Sequence, residues 1–128
     1  MEGEEYRIDF WNFQFLKIFG EVSFMSKKNF VSKKEKEFQS GLIKDIKKRF
    51  EGCIVLKNDP NYKQGIPDLL VLYNNKWAAL EAKKDKNAKH RPNQDYYISK
   101  MDKMSFAKFI YPENKQEVLN ELERSFKS

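Results

Sequence analysis

Cysteine is all but missing from this 128-residue chain, and the single Cys53 leaves no partner for an internal disulfide. Histidine is as scarce: His90 stands alone, and neither residue has the ligand-spaced companions that a zinc site needs. No apolar run reaches the roughly 18 residues of a membrane-spanning helix, so the chain is not expected to cross a bilayer. There is no internal repeat. The opening segment has three acids in its first five residues, whereas a secretory leader starts basic and runs apolar, so a reducing cytoplasm is the expected compartment. Negative charge is also in deficit. With 25 Lys and Arg against 19 Asp and Glu, the chain carries +6, which favours a polyanionic partner without choosing between nucleic acid and an anionic membrane.

The length supports one core and one site. Residues 1–24 crowd Phe10, Trp11, Phe13, Phe15, Phe19 and Phe24 ahead of the Ser- and Lys-rich stretch that Met25 opens. Such a segment either packs on a partner subunit or is an upstream extension of the reading frame, with Met25 as the start. Residues 1–30 are accordingly read as an aromatic and basic extension or dimerisation arm, and residues 31–128 as the folded domain.

From Lys33 to Phe50 the apolar residues Phe38, Leu42, Ile43, Ile46 and Phe50 recur every three or four positions, the signature of a helix, with Ser32 available as its cap. Gly52 closes it. Strands are expected at 53–57, 67–73 and 76–83, with Cys53, in the apolar run Cys53-Ile54-Val55-Leu56, reading as a buried strand residue, and Leu69 to Tyr73 as a central strand covered on both faces. A basic loop, a helix at 93–104 built on Tyr97, Ile98, Met101 and Met104, a strand at 106–111 and a helix at 113–126 complete the chain. Helix, three strands, helix, strand, helix gives an α/β fold in which helices flank a small mixed sheet.

The most informative pattern is Gly65-Ile66-Pro67-Asp68 with Glu81-Ala82-Lys83 thirteen residues after the Asp. If Asn74-Asn75 forms a two-residue hairpin loop, residue 73 pairs with 76 and 68 with 81. Asp68 and Glu81 then face each other with Cβ atoms roughly 4.5–5.5 Å apart, which destabilises a sheet unless positive charge sits between them. A divalent cation meets that need. Alternation puts Lys83 on the face of Glu81 and leaves the Ala82 carbonyl at the strand edge. Turning the first helix at 100° per residue puts Glu35 at the centre of its apolar stripe and Glu37 nearly opposite. Glu35 either points into this site or serves the helix dipole.

These residues resemble the PD-(D/E)XK nuclease superfamily, and within it the small stand-alone VRR-NUC type of phages and bacteria. The matching elements are Glu35 in Glu-Lys-Glu-Phe-Gln, Asp68 in Gly-Ile-Pro-Asp-Leu-Leu, Glu81-Ala82-Lys83, and Gln94 in Arg-Pro-Asn-Gln at the start of the next helix. They span about half of the chain, and the first 30 residues lie outside the resemblance. Relatives often carry glycine after the lysine, where this chain has Lys84-Asp85-Lys86-Asn87. The resemblance implies a restriction-endonuclease-like core of order α-β-β-β-α-β-α and a Mg²⁺- or Mn²⁺-dependent phosphodiesterase acting on DNA. Asp68, Glu81 and the Ala82 carbonyl would hold the metal, with Glu35 reaching it through water or holding a second ion. Lys83 would serve the attacking water, and Gln94 would orient Lys83. Lys84, Lys86, Lys89, His90 and Arg91 would grip a DNA backbone without reading bases, or merely solvate the loop. With no room for a sequence-reading domain, a homodimer acting on branched DNA, such as a Holliday junction, is the most specific expectation, in the cytoplasm, which is the host cell's if the chain is phage-encoded. A nuclease subunit for restriction, repair or DNA packaging, and a non-catalytic nucleic-acid-binding protein of the same fold, remain the alternatives.

Overall fold

The computed structural model describes residues 32–128, so the aromatic segment and the arm or extension expected there lie outside the described residues. Helix α1 (Lys33–Arg49) starts as its sequence demands: the Ser32 hydroxyl accepts the backbone N–H of Glu35 at 3.0 Å, relieving one of the unpaired donors of the first turn. Leu42, Ile46 and Phe50 along it are fully buried. Gly52, at φ +89°, turns the chain into β1 (Ile54–Lys57). The hairpin of β2 (Leu69–Tyr73) and β3 (Lys76–Ala82) follows, then α2 (Pro92–Met104), β4 (Phe106–Ile110) and α3 (Lys115–Lys127). Strand order is β1-β2-β3-β4, antiparallel except for the parallel β3–β4 pair that α2 connects.

Asn74 takes φ 55°, and Tyr73 pairs with Lys76, so the two-residue turn sets the hairpin register that the Asn-Asn pair favours. One face of the sheet carries Leu69, Val71, Ala78, Leu80 and Ile110 into a core with α1 and with Val118, Leu119, Leu122 and Phe126 of α3. Phe50, Tyr73 and Phe126 meet there with ring centroids 5.2–5.6 Å apart, joining both helices to the hairpin. Arg49 adds a surface tie to Glu123 at 2.8 Å.

The opposite face is only partly covered, and here the sequence expectations fail. Ile54 and Leu56 are exposed at 55% and 45%, and Cys53 is only half-buried just before β1. Leu70 and Leu72 are also half-buried, so β2 is not sealed on both faces. The reason lies in topology: α2 packs chiefly over β4 and β3, away from the β1 edge. Met104, expected on the inner face of α2, is 64% exposed at the last turn.

Candidate active site

The site grows from the hairpin. The last ladder pair, Leu69 with Leu80, sets Asp68 opposite Glu81 one step further out. Each carboxylate reaches across the strands: the Asp68 N–H donates to Glu81 Oε1 at 3.2 Å, and the Ala82 N–H donates to Asp68 Oδ2 at 3.2 Å. Ala82, the last residue of β3, stands between Glu81 and Lys83 with its methyl buried on the core face. Among the described residues the buried charged side chains are Glu81 and Lys83, at 3% and 7% exposure. Since a buried charge without partners costs several kcal/mol, this pair must be held.

It is held by α2 and the loop before it. Lys83 Nζ donates to Gln94 Oε1 at 2.8 Å and to the Lys89 carbonyl at 3.1 Å, and lies 3.9 Å from Glu81 Oε2. Gln94 Nε2 donates to that same Glu81 oxygen at 2.9 Å. The Gln94 carbonyl oxygen also accepts the Arg91 N–H at 3.0 Å, fastening the first turn of α2, where Pro92 needs no hydrogen bond. One carboxamide thus spans ammonium, carboxylate and helix start.

Burial pushes the Asp68 carboxyl up to about 6, against the Ala82 N–H that favours its charged form. Burial, then the facing Asp68, pushes Glu81 up to about 8, with Lys83 opposing. Glu35 projects half-buried from the first turn of α1, and Glu37 is exposed, as the wheel predicts. Burial raises the Glu35 carboxyl while Lys83, Lys84 and Arg91 pull it down, and its charge acts on both Asp68 and Glu81. The structure therefore brings Glu35, Asp68, Glu81, Lys83 and Gln94 into one electrostatic cluster.

The donor set fits a hard divalent ion. Two facing carboxyls resist ionising together for want of positive charge, and oxygen donors suit Mg²⁺ or Mn²⁺. No group of three or more His, Cys, Asp and Glu side chains spaced to hold a metal occurs among the described residues, so Glu35 is not a direct third ligand in this arrangement. Asp68 and Glu81, with the Ala82 carbonyl, are the candidate ligands, and water completes such a shell.

A structure comparison finds a solved chain titled "VRR_NUC domain", 30% identical, with a TM-score of 0.52; the match covers 72% of this chain and 97% of that one. The chain belongs to the VRR-NUC family. Its mixed sheet with flanking helices is the restriction-endonuclease-like α/β fold, and the domain is of nuclease type. No family model matches the sequence, and a search of curated proteins finds no match either.

Of the basic residues expected to grip a backbone in this VRR-NUC chain, Lys84, Lys86, Lys89 and Arg91 are exposed after β3. His90 is exposed too, but its ring is held: it stacks on Phe109 at 3.8 Å between centroids, and Nδ1 lies 3.0 Å from Asp95 Oδ1. Sequence reasoning missed this stack and the Lys89 carbonyl that holds Lys83. The carbonyl is invisible in principle, because every residue has one. A lone His five residues before an Asp gave only a weak signal.

Proposed function

We propose that the protein is a divalent-metal-dependent DNA endonuclease that hydrolyses phosphodiesters, acting as a homodimer on branched DNA of the Holliday-junction kind. The observation that carries the hydrolytic reading is the facing Asp68 and Glu81 beside a buried Lys83 pinned by Gln94. Asp68, Glu81 and the Ala82 carbonyl would hold Mg²⁺ or Mn²⁺. The ion, when bound, supplies Lewis acidity to the phosphate and lowers the pKa of a coordinated water. Lys83 offsets charge that builds on the phosphate and positions the attacking water. Gln94 keeps the ammonium from collapsing onto Glu81 by bridging the two, and Glu35 holds outer-sphere water. Arg91 and the lysines of the 84–89 loop steady the backbone through non-specific phosphate contacts.

A homodimer is supported by strand β1, a sheet edge whose Ile54 and Leu56 are exposed. Branched DNA is supported by the small basic domain, which favours recognition of shape and backbone.

The deciding assay compares four-way junction, flap, single-stranded and linear duplex DNA, with and without Mg²⁺. Metal-dependent cutting of the junction in preference to linear duplex is expected. Asp68→Asn and Glu81→Gln should abolish cutting and leave DNA binding intact. Cutting that persists in either variant refutes the site, and equal cutting of all substrates refutes the junction preference.

A further inference from the structure

Beside Asp68 the loop of residues 58–67 and the first turn of α2 enclose a cleft of about 410 Å³. Its size falls in the range of sites that hold small organic ligands, roughly 300–1,000 Å³. Its polar lining is mostly carboxamides, from Asn61, Gln64, Asn93 and Gln94, with Arg91 as the cation and Asp68 at the mouth, and Pro60, Ile66 and Pro92 supply the apolar part. Gln94 is engaged with Lys83, Glu81 and Arg91. The side-chain amides of Asn61, Gln64 and Asn93 make no hydrogen bond among the described residues.

A carboxamide presents a donor and an acceptor side by side, which is the pattern on the edges of nucleobases. A phosphate pocket, by contrast, calls for cations or converging donors, and here one guanidinium is offset by one carboxylate. The walls are also set in place. Gly65 sits at φ +89° against α2 so closely that a Cβ there would lie 2.3 Å from that of Asn93. Asn58 Nδ2 donates to the Pro67 carbonyl at 2.8 Å, and the Asn61 N–H donates to Asp59 Oδ1 at 2.9 Å, which fixes the loop from within. A recess of this kind admits a base that has left the stack, whereas a paired base inside a duplex stays beyond its reach.

We propose that this cleft is a subsite for one unpaired nucleoside of the substrate strand, adjacent to the phosphate addressed by Asp68 and Glu81. The proposal rests on the nuclease reading for its substrate and gives the preference for branched DNA a physical origin, because a branch point interrupts stacking and lowers the cost of extruding a base there. Selection then comes from base availability rather than from sequence.

The test uses metal-free, full-length protein and three duplex probes of one sequence: fully paired, with a single unpaired 2-aminopurine, and with an abasic residue in its place. The wild type should bind the 2-aminopurine probe about tenfold more tightly than the other two, the worth of one or two hydrogen bonds, with a saturable change in its fluorescence. Asn61→Ala with Asn93→Ala should bring all three within about twofold while leaving the paired affinity as it was. Asn93 is exposed and Asn61 half-buried, neither lies in the core, and alanine at 93 keeps the Cβ that abuts Gly65, so the fold and the wall remain. Equal wild-type affinity for the three probes, or an undiminished preference in the double variant, overturns the subsite. Cleavage of the same probes with Mg²⁺ separates the two readings. Base-dependent binding without any cutting supports the subsite and refutes the nuclease, and metal-dependent cutting without base-dependent binding refutes the subsite alone.

Discussion

At the scale of single residues, the most exacting position is Lys83, because its ammonium is buried and donates to both the Gln94 amide oxygen and the Lys89 carbonyl. Lys83→Ala should abolish cleavage while calorimetry still detects metal binding, since an ammonium is not a ligand. Lys83→Arg should rescue poorly, because the planar fork cannot occupy the space between Gln94 and the Lys89 carbonyl. Gln94→Ala, which frees rather than removes the ammonium, should cost about 10–100-fold in turnover. The two acids of α1 give an internal control: Glu35→Ala should lower turnover strongly, and the exposed Glu37→Ala should be nearly silent, both with unchanged thermal stability. Equal losses would remove Glu35 from the site. The facing carboxyls also make a pH prediction. Their folded values, about 6 and about 8, lie above the ordinary 3.8 and 4.5, so the folded state binds more protons than the unfolded one between those limits. Stability from them is present below pH about 4 and is lost as pH rises through about 6 and then about 8. In chelator, the melting temperature should fall across that window; Asp68→Asn with Glu81→Gln should flatten the fall, and so should saturating Mg²⁺.

At the scale of elements, the hairpin and the loop before it decide whether the site exists. A two-residue turn with Asn74 in the left-handed region sets the register, and a slip of one residue would separate Asp68 from Glu81 and turn their side chains to opposite faces. The 58–67 loop is held to α2 at Gly65, where both the positive φ and the close approach exclude a side chain. Gly65→Ala should destabilise the protein by at least about 1 kcal/mol in denaturant titration, more than an exposed glycine would. It should also lower activity, because displacing the loop from Asn93 shifts the helix turn that carries Gln94. Gly41→Ala in the middle of α1 is the contrasting case: nothing lies within 4 Å of a Cβ there, and alanine should stabilise by roughly 0.5–1 kcal/mol.

At the scale of the whole molecule, the sheet is lopsided. One face is closed by α1 and α3, and on the other α2 covers β3 and β4, leaving Ile54 and Leu56 of the β1 edge exposed. If a second copy covers that edge, Leu56→Lys should convert a dimer to a monomer in sedimentation, at little cost to a fold that does not bury the residue. Deleting residues 1–24 tests the aromatic segment separately. A truncated chain that stays dimeric, soluble and active makes the segment dispensable; one that becomes monomeric or insoluble places it in the subunit interface.

The order of elements, the buried stripes of α1 and α3 and the facing of Asp68 and Glu81 were legible in the sequence, because helical period, turn chemistry and strand alternation are local rules. Ser32, Asn74 and Gly52 act within a few residues of themselves, and so their effects can be read in one dimension. Only the tertiary structure decided which apolar strand residues are covered. Ile54 and Leu56 look like core in sequence, yet whether a helix lies over them depends on how far α2 reaches across the sheet. The restraint of Lys83 was legible only in part: the family resemblance implies its bond to Gln94, whereas the Lys89 carbonyl that completes it is a backbone group that any residue would supply. The amide-lined cleft depends likewise on Gly65 meeting Asn93 across 28 residues of chain, a closeness that a glycine permits but that only packing imposes.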